Sequence, residues 1–281
     1  MDFSSPAVQI ALVIAFGAGM ATIFGSLLVI FAKETNTRLL AFGLAFSAGA
    51  MVYISLVEIF TKANQAFVKA AGEKAGYGWT TLFFFAGVAL LIAMDRLIPN
   101  PHHGLTGKDV GERMGKPAAA HDDSGAAGYD RKRIARVGML AALAITAHNL
   151  PEGLATFFAT LDNPVVGAPL AIAIAVHNIP EGVSIAVPVY YATGSKTKAV
   201  IATAISGLAE PFGAIVGYAI LAPYLTDFVF GSVFAVIAGA MVFLALDELL
   251  PAARSYARGH ETVYGIVIGM GAMALSLVLF K

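Results

Sequence analysis

The sequence predicts an all-α integral membrane protein of eight transmembrane helices, and three observations carry that prediction. Of its 281 residues 58% are hydrophobic and 13% charged, where a soluble domain carries about 25% charged residues. Apolar stretches of the roughly 20 residues that a helix needs to cross a bilayer recur along nearly the whole chain. The basic residues fall mainly in alternate connections, as they do in multi-pass proteins.

Taken in order, the spans are expected at 7–31, 39–60, 78–98, 134–160, 165–191, 199–221, 229–250 and 263–280. Met1 to Pro6 lacks the positive start of a signal peptide, and the apolar run after it is too long for a cleaved one, so it reads as a retained first span. Span 2 begins after Arg38 and carries Glu58 near its outer end, either as an ion entrance or as a solvated interfacial carboxylate. Span 3 ends on Asp95 and Arg96, which suit an interface anchor.

The stretch 99–132 is the one extended polar segment, and its Gly, Pro, Ala, His and Asp content, with His102, His103, His121, Asp122 and Asp123, reads as a flexible cytoplasmic loop. It divides a single transmembrane domain, 1–281, without making a second one. Its histidines either bind metal transiently or are simply solvated. Spans 4, 5 and 6 carry the polar motifs below. Span 7 ends on Asp247 and Glu248, either an ion exit or a pair emerging into water. Glycine pairs Gly213/Gly217 and Gly265/Gly269 fit close helix packing, either internally or at the seam of a homodimer.

With the N-terminus outside, fourteen of the 18 Lys and Arg residues lie in inner connections. Only Lys62, Lys69, Lys74 and Lys281 remain outside. The expected placement is therefore a multi-pass protein of the cell (inner) membrane with both termini outside the cytoplasm.

Composition and motifs also narrow the function. Net charge is zero and no basic stripe occurs, which argues against nucleic acid as a partner. There are no cysteines, so thiolate metal chemistry is excluded. No Gly-x-x-x-x-Gly-Lys-Ser/Thr occurs, which argues against an ATP-driven pump.

Ionisable groups inside a membrane mark functional sites, and here they cluster. Ala147-His148-Asn149-Leu150-Pro151-Glu152-Gly153 on span 4 returns as Val176-His177-Asn178-Ile179-Pro180-Glu181-Gly182 on span 5, 29 residues later. Residues four apart share a helix face, so His148 stands with Glu152 and His177 with Glu181. Consecutive spans run antiparallel, so the two copies oppose each other upside down. Pro151 and Pro180 have no N–H to give the carbonyls of Ala147 and Val176, which bends each helix, a feature tolerated in membranes where helices line a cavity. Gly153 and Gly182 allow neighbouring helices to approach.

Glu210 on span 6 supplies a third carboxylate. His148, Asn149, Glu152, His177, Asn178, Glu181 and Glu210 are the candidate metal ligands. Imidazole, carboxylate and amide oxygen together suit zinc, iron(II), manganese, cobalt or nickel. The metal is read as cargo, with the bilayer as the other partner and no catalytic cofactor.

These motifs, with Ile205-Ser206-Gly207-Leu208-Ala209-Glu210-Pro211, resemble the ZIP (Zrt/Irt-like) metal transporters and their prokaryotic ZupT-like branch. The likeness extends to 38–42, 54–58, 95–99, 192–196 and 247–251. It implies an eight-helix 3+2+3 bundle with spans 4 and 5 central, and uptake of zinc first, with iron(II), manganese, cobalt and cadmium, toward the cytosol. In some members the site holds two metals bridged by carboxylates, and some carry Gln and Asp where His177 and Asn178 stand here. Two other functions compete: an intramembrane metal-dependent hydrolase, against which stands the lack of His-Glu-x-x-His, and a passive metal channel or sensor.

Overall fold

A computed structural model describes residues 2–31, 37–97, 125–162 and 164–280, and every span expected from the sequence is helical in it. Span 1 is Pro6–Phe31. Span 2 is Thr37–Ile54, a π turn Ser55–Ile59 and Phe60–Ala71, end to end. Span 3 is Glu73–Leu97, span 4 Gly125–Asp162, span 5 Pro164–Thr193 and span 6 Lys196–Leu221. Span 7 is Asp227–Leu244, a π turn Ala245–Leu249 and Leu250–Tyr256, and span 8 is Glu261–Phe280. Among the described residues there is no strand, and seven helices are long and apolar enough by themselves to cross a bilayer. The eighth, span 4, lies among them and bears part of the polar cluster. The chain is a multi-pass, all-helical membrane protein.

Spans 2 and 7 run longer than expected, because span 2 continues as helix past Glu58 and span 7 past Asp247 and Glu248. Span 4 begins at Gly125, earlier than expected. The loop histidines His102, His103 and His121, with Asp122 and Asp123, lie outside the described residues. Two turns need glycine: Gly72 (φ 83°) reverses the chain between spans 2 and 3, and Gly194 (φ 64°) between spans 5 and 6.

The amphipathicity is inverted relative to a soluble protein. On span 6, Ile201, Ile205, Leu208, Phe212 and Ile220 form an exposed apolar stripe at helical spacing, while Thr203, Ser206 and Glu210 are buried on the opposite side. Lipid is as apolar as leucine, so burial of apolar surface alone cannot hold the helices together; close backbone approach and interhelical hydrogen bonds must.

The glycines show that approach. A Cβ on Gly153 would stand 1.9 Å from the carbonyl oxygen of Glu210, and one on Gly182 would stand 1.9 Å from that of Thr22. Gly213 and Gly269 meet the carbonyls of Leu150 and Phe46 in the same way. The two glycine pairs noted in the sequence are thus taken up by contacts within the chain.

Spans 1, 4, 5 and 6 pack together, as do spans 2, 3, 7 and 8, and span 2 joins the groups by lying against span 5. Span 1 lies on 5 as 6 lies on 4, and span 2 on 8 as 7 on 3. Exchanging 1 with 6, 2 with 7, 3 with 8 and 4 with 5 carries these pairs into one another, the mark of an inverted repeat, although span 3 lies against span 2 far more than span 8 against span 7. The 3+2+3 pattern is thus one of chain order, with spans 4 and 5 between the related triplets 1–3 and 6–8, while in space the bundle divides into spans 1, 4, 5 and 6 and spans 2, 3, 7 and 8.

Candidate metal site

The repeated motifs meet at the centre of spans 4 and 5. Pro151 and Pro180 sit within helices that continue through them. Asn149, Glu152, His177, Asn178, Glu181 and Glu210 are all buried, with at most 1% of any residue's surface exposed. Burying so many polar groups in an apolar bundle is costly unless they meet partners.

Glu152, His177 and Glu181 each offer one ligand atom, and these atoms lie within 4.8 Å of one another. Donors bound tetrahedrally to zinc at 2.0–2.2 Å stand about 3.4 Å apart, so a small inward movement would put all three on one ion. His177 Nε2 already stands 3.1 Å from Glu152 Oε1, which ties span 5 to span 4. The Ser47 hydroxyl of span 2 donates to the carbonyl oxygen of His177 at 3.1 Å, one residue beyond the carbonyl that Pro180 leaves without its usual donor.

The two asparagines are oriented by what their NH2 groups reach. Asn149 Nδ2 donates to the carbonyl oxygen of Ser206 at 3.0 Å and to its hydroxyl at 3.2 Å. Asn178 Nδ2 donates to the carbonyl oxygen of Ala18 at 2.9 Å and to Oε1 of Glu210. A backbone carbonyl accepts only, so the amide nitrogen must face it and the amide oxygen must face away. Asn149 Oδ1, Asn178 Oδ1 and Glu210 Oε2 are buried and accept no hydrogen bond among the described residues. Buried acceptors left in this state want a donor or a cation.

The remaining residues singled out in the sequence divide. His148 lies on span 4 beside Asn149, but its side chain falls outside the described residues, as does that of Asp95. Glu58 is not a solvated interfacial carboxylate. It is 5% exposed, inside the π turn of span 2, and Lys62 Nζ approaches its Oε1 at 3.9 Å. Asp247 and Glu248 occupy the π turn of span 7 and are partly exposed.

The sequence reading passed over Ser47, Ala18 and Thr22. For Thr22 a signal existed: Gly19-x-x-Thr22-x-Phe24-Gly25 of span 1 parallels Gly207-x-x-Glu210-x-Phe212-Gly213 of span 6.

Comparison with known proteins agrees in extent. The family model described as ZIP Zinc transporter matches residues 7–277. The chain is 57% identical over 278 residues to "Zinc transporter ZupT" of Xanthomonas axonopodis pv. citri, covering 99% of this chain and 97% of that protein. It is 56% identical over 279 residues to the protein of the same name from Neisseria meningitidis serogroup B, covering 99% and 98%. With that of Nitratidesulfovibrio vulgaris it shares 47% over 274 residues, covering 95% and 97%.

Proposed function

The chain belongs to the ZIP zinc transporter family, and on that premise we propose that it carries divalent metal, zinc first, into the cytoplasm through the buried cluster of spans 4, 5 and 6. It is a transporter and not an enzyme. The observation that carries the site assignment is the mutual reach of Glu152, His177 and Glu181, whose ligand atoms lie within 4.8 Å in a fully buried setting.

Asn149, Asn178 and Glu210 complete the donor set with oxygens aimed away from their protein partners, and His148 joins it by its place in the motif. Three carboxylates match a divalent charge. Iron(II), manganese, cobalt and cadmium fit the same donors and are proposed as secondary cargo. Glu58 stands on the entrance side and Asp247 with Glu248 on the exit side, with the N- and C-termini outside an inner membrane. The inverted packing supports a carrier over a passive channel or sensor, because two halves related by inversion can exchange inward and outward roles around one site.

The test is zinc uptake into proteoliposomes. Glu152→Ala and Glu181→Ala are each expected to reduce the rate by about a hundredfold, since loss of even an outer-shell partner costs 10 to 100-fold. Both variants should remain folded and membrane-inserted. Wild-type uptake by either would remove the cluster from the path. Running iron(II), manganese and cadmium beside zinc, with an imposed pH gradient, ranks the cargo and shows whether protons drive it.

A further inference from the structure

The inverted repeat is close enough to pair individual contacts. Asn149 donates to the carbonyl of Ser206 on span 6, and Asn178 donates to the carbonyl of Ala18 on span 1. Gly153 faces the carbonyl of Glu210, and Gly182 that of Thr22. Gly213 faces the carbonyl of Leu150, and Gly25 that of Ile179. Gly19 and Gly207 face each other's carbonyls, at 2.2 and 2.3 Å from an added Cβ. One shift along the chain carries Ala18 to Ser206, Gly19 to Gly207, Gly25 to Gly213 and Thr22 to Glu210. Thr22 therefore stands where its image holds a candidate metal-binding carboxylate.

A threonine inside a helix ordinarily donates to the carbonyl one turn back. Thr80, Thr81, Thr146, Thr160 and Thr203 do so, whereas Thr22 and Thr156 do not; of these two only Thr22 is the repeat counterpart of a candidate ligand. Thr22 is completely buried, and its hydroxyl has no hydrogen bond among the described residues. Its Cβ lies 3.4 Å from where a Cβ on Gly207 would stand, beside Ser206, the residue that holds Asn149. Asn149 Oδ1 is likewise unmet. Thr22 and Asn149 thus hold unmet buried oxygens just as their repeat counterparts Glu210 and Asn178 do.

We propose that Thr22 is a further residue of the transport site, placing a neutral hydroxyl oxygen on the bound divalent cation where its inverted-repeat counterpart, Glu210, places a carboxylate. The inference rests on the transport reading above. It gives the two repeat-related outer spans different donors, a carboxylate from span 6 and a neutral hydroxyl from span 1.

The test uses the purified full chain in detergent, with zinc alone as the probe and thermal unfolding as the readout. Thr22→Val keeps the shape and removes the hydroxyl, so without zinc its apparent Tm should equal or exceed that of the wild type. Its zinc titration midpoint should rise about tenfold, the lower end for losing one supporting contact to a metal, while Thr22→Ser stays near the wild type. An unchanged midpoint in Thr22→Val overturns the proposal. So does a fall in Tm without zinc in both Thr22→Val and Thr22→Ala with midpoints unmoved, which would make the residue structural. If wild-type protein shows no zinc-dependent rise in Tm, the transport-site reading itself fails and takes the proposal with it.

Discussion

Asn178 illustrates how the proposed site would balance holding itself together against holding an ion. Its NH2 group bridges the Ala18 carbonyl and the Glu210 carboxylate, two acceptors that would otherwise face each other in a buried space. An acid at this position would offer more charge to a metal but would turn a donor into an acceptor against both partners. Asn178→Asp is therefore expected to lower the stability of the metal-free protein by about 2 kcal/mol, the cost of leaving buried acceptors unmet. It should also enlarge the stabilisation that zinc produces. Apparent Tm with and without zinc measures both, and a variant as stable as the wild type without metal would mean that the asparagine bridge contributes nothing. The residue types of the candidate site were legible because imidazole and carboxylate are so rare in apolar spans that four positions in two matching motifs stand out. The partners Ser47 and Ala18 were not, since they act through a hydroxyl and a backbone carbonyl that no sequence pattern marks.

The helices hold together by backbone contact, and that contact depends on single hydrogen atoms. Gly153→Ala would drive a methyl group into the carbonyl of Glu210, and Gly182→Ala into that of Thr22, each at 1.9 Å. Backbone cannot swing aside as a side chain can, so spans 4 and 6, or 5 and 1, must separate. Each substitution is expected to cost about 3 kcal/mol, the upper part of the range for overpacking, and to stop uptake by displacing the candidate ligand carboxylates. Gly17→Ala provides the control: nothing lies within 4 Å of its added Cβ, and alanine is the better helix former. Thermal unfolding of the three variants, with uptake alongside, decides the matter; equal stability for Gly153→Ala and Gly17→Ala would refute the close-contact account. At this scale the sequence located every span but misjudged the ends of spans 2 and 7. Hydropathy treats a charge as an exit into water, whereas Glu58 remains buried within a π turn and opposite Lys62. Such turns often occur at functional positions.

Across the whole molecule the inverted repeat explains more than the two short motifs did. Gly49-Ala50-Met51-Val52, followed by Glu58, matches Gly239-Ala240-Met241-Val242, followed by Glu248, and both acids fall in π turns. This longer repeat escaped the sequence reading because it joins distant spans of opposite direction, where only scattered small residues are shared. An inverted repeat has no intrinsic inside or outside, so what orients the protein is the charge of its connections. Lys74 follows the turn after span 2, and Lys196 begins span 6; both are exposed. Eight crossings would put them on opposite sides of the membrane, and the excess of Lys and Arg predicts Lys196 in the cytoplasm and Lys74 outside. The chain has no cysteine, so a single thiol can be placed at either position without a competing signal. In intact cells an impermeant thiol reagent is expected to label Lys74→Cys and to reach Lys196→Cys only after the membrane is opened. The reverse pattern would turn the molecule over, exchanging the proposed entrance at Glu58 with the proposed exit at Asp247 and Glu248, while labelling of both in intact cells would break the eight-span topology itself.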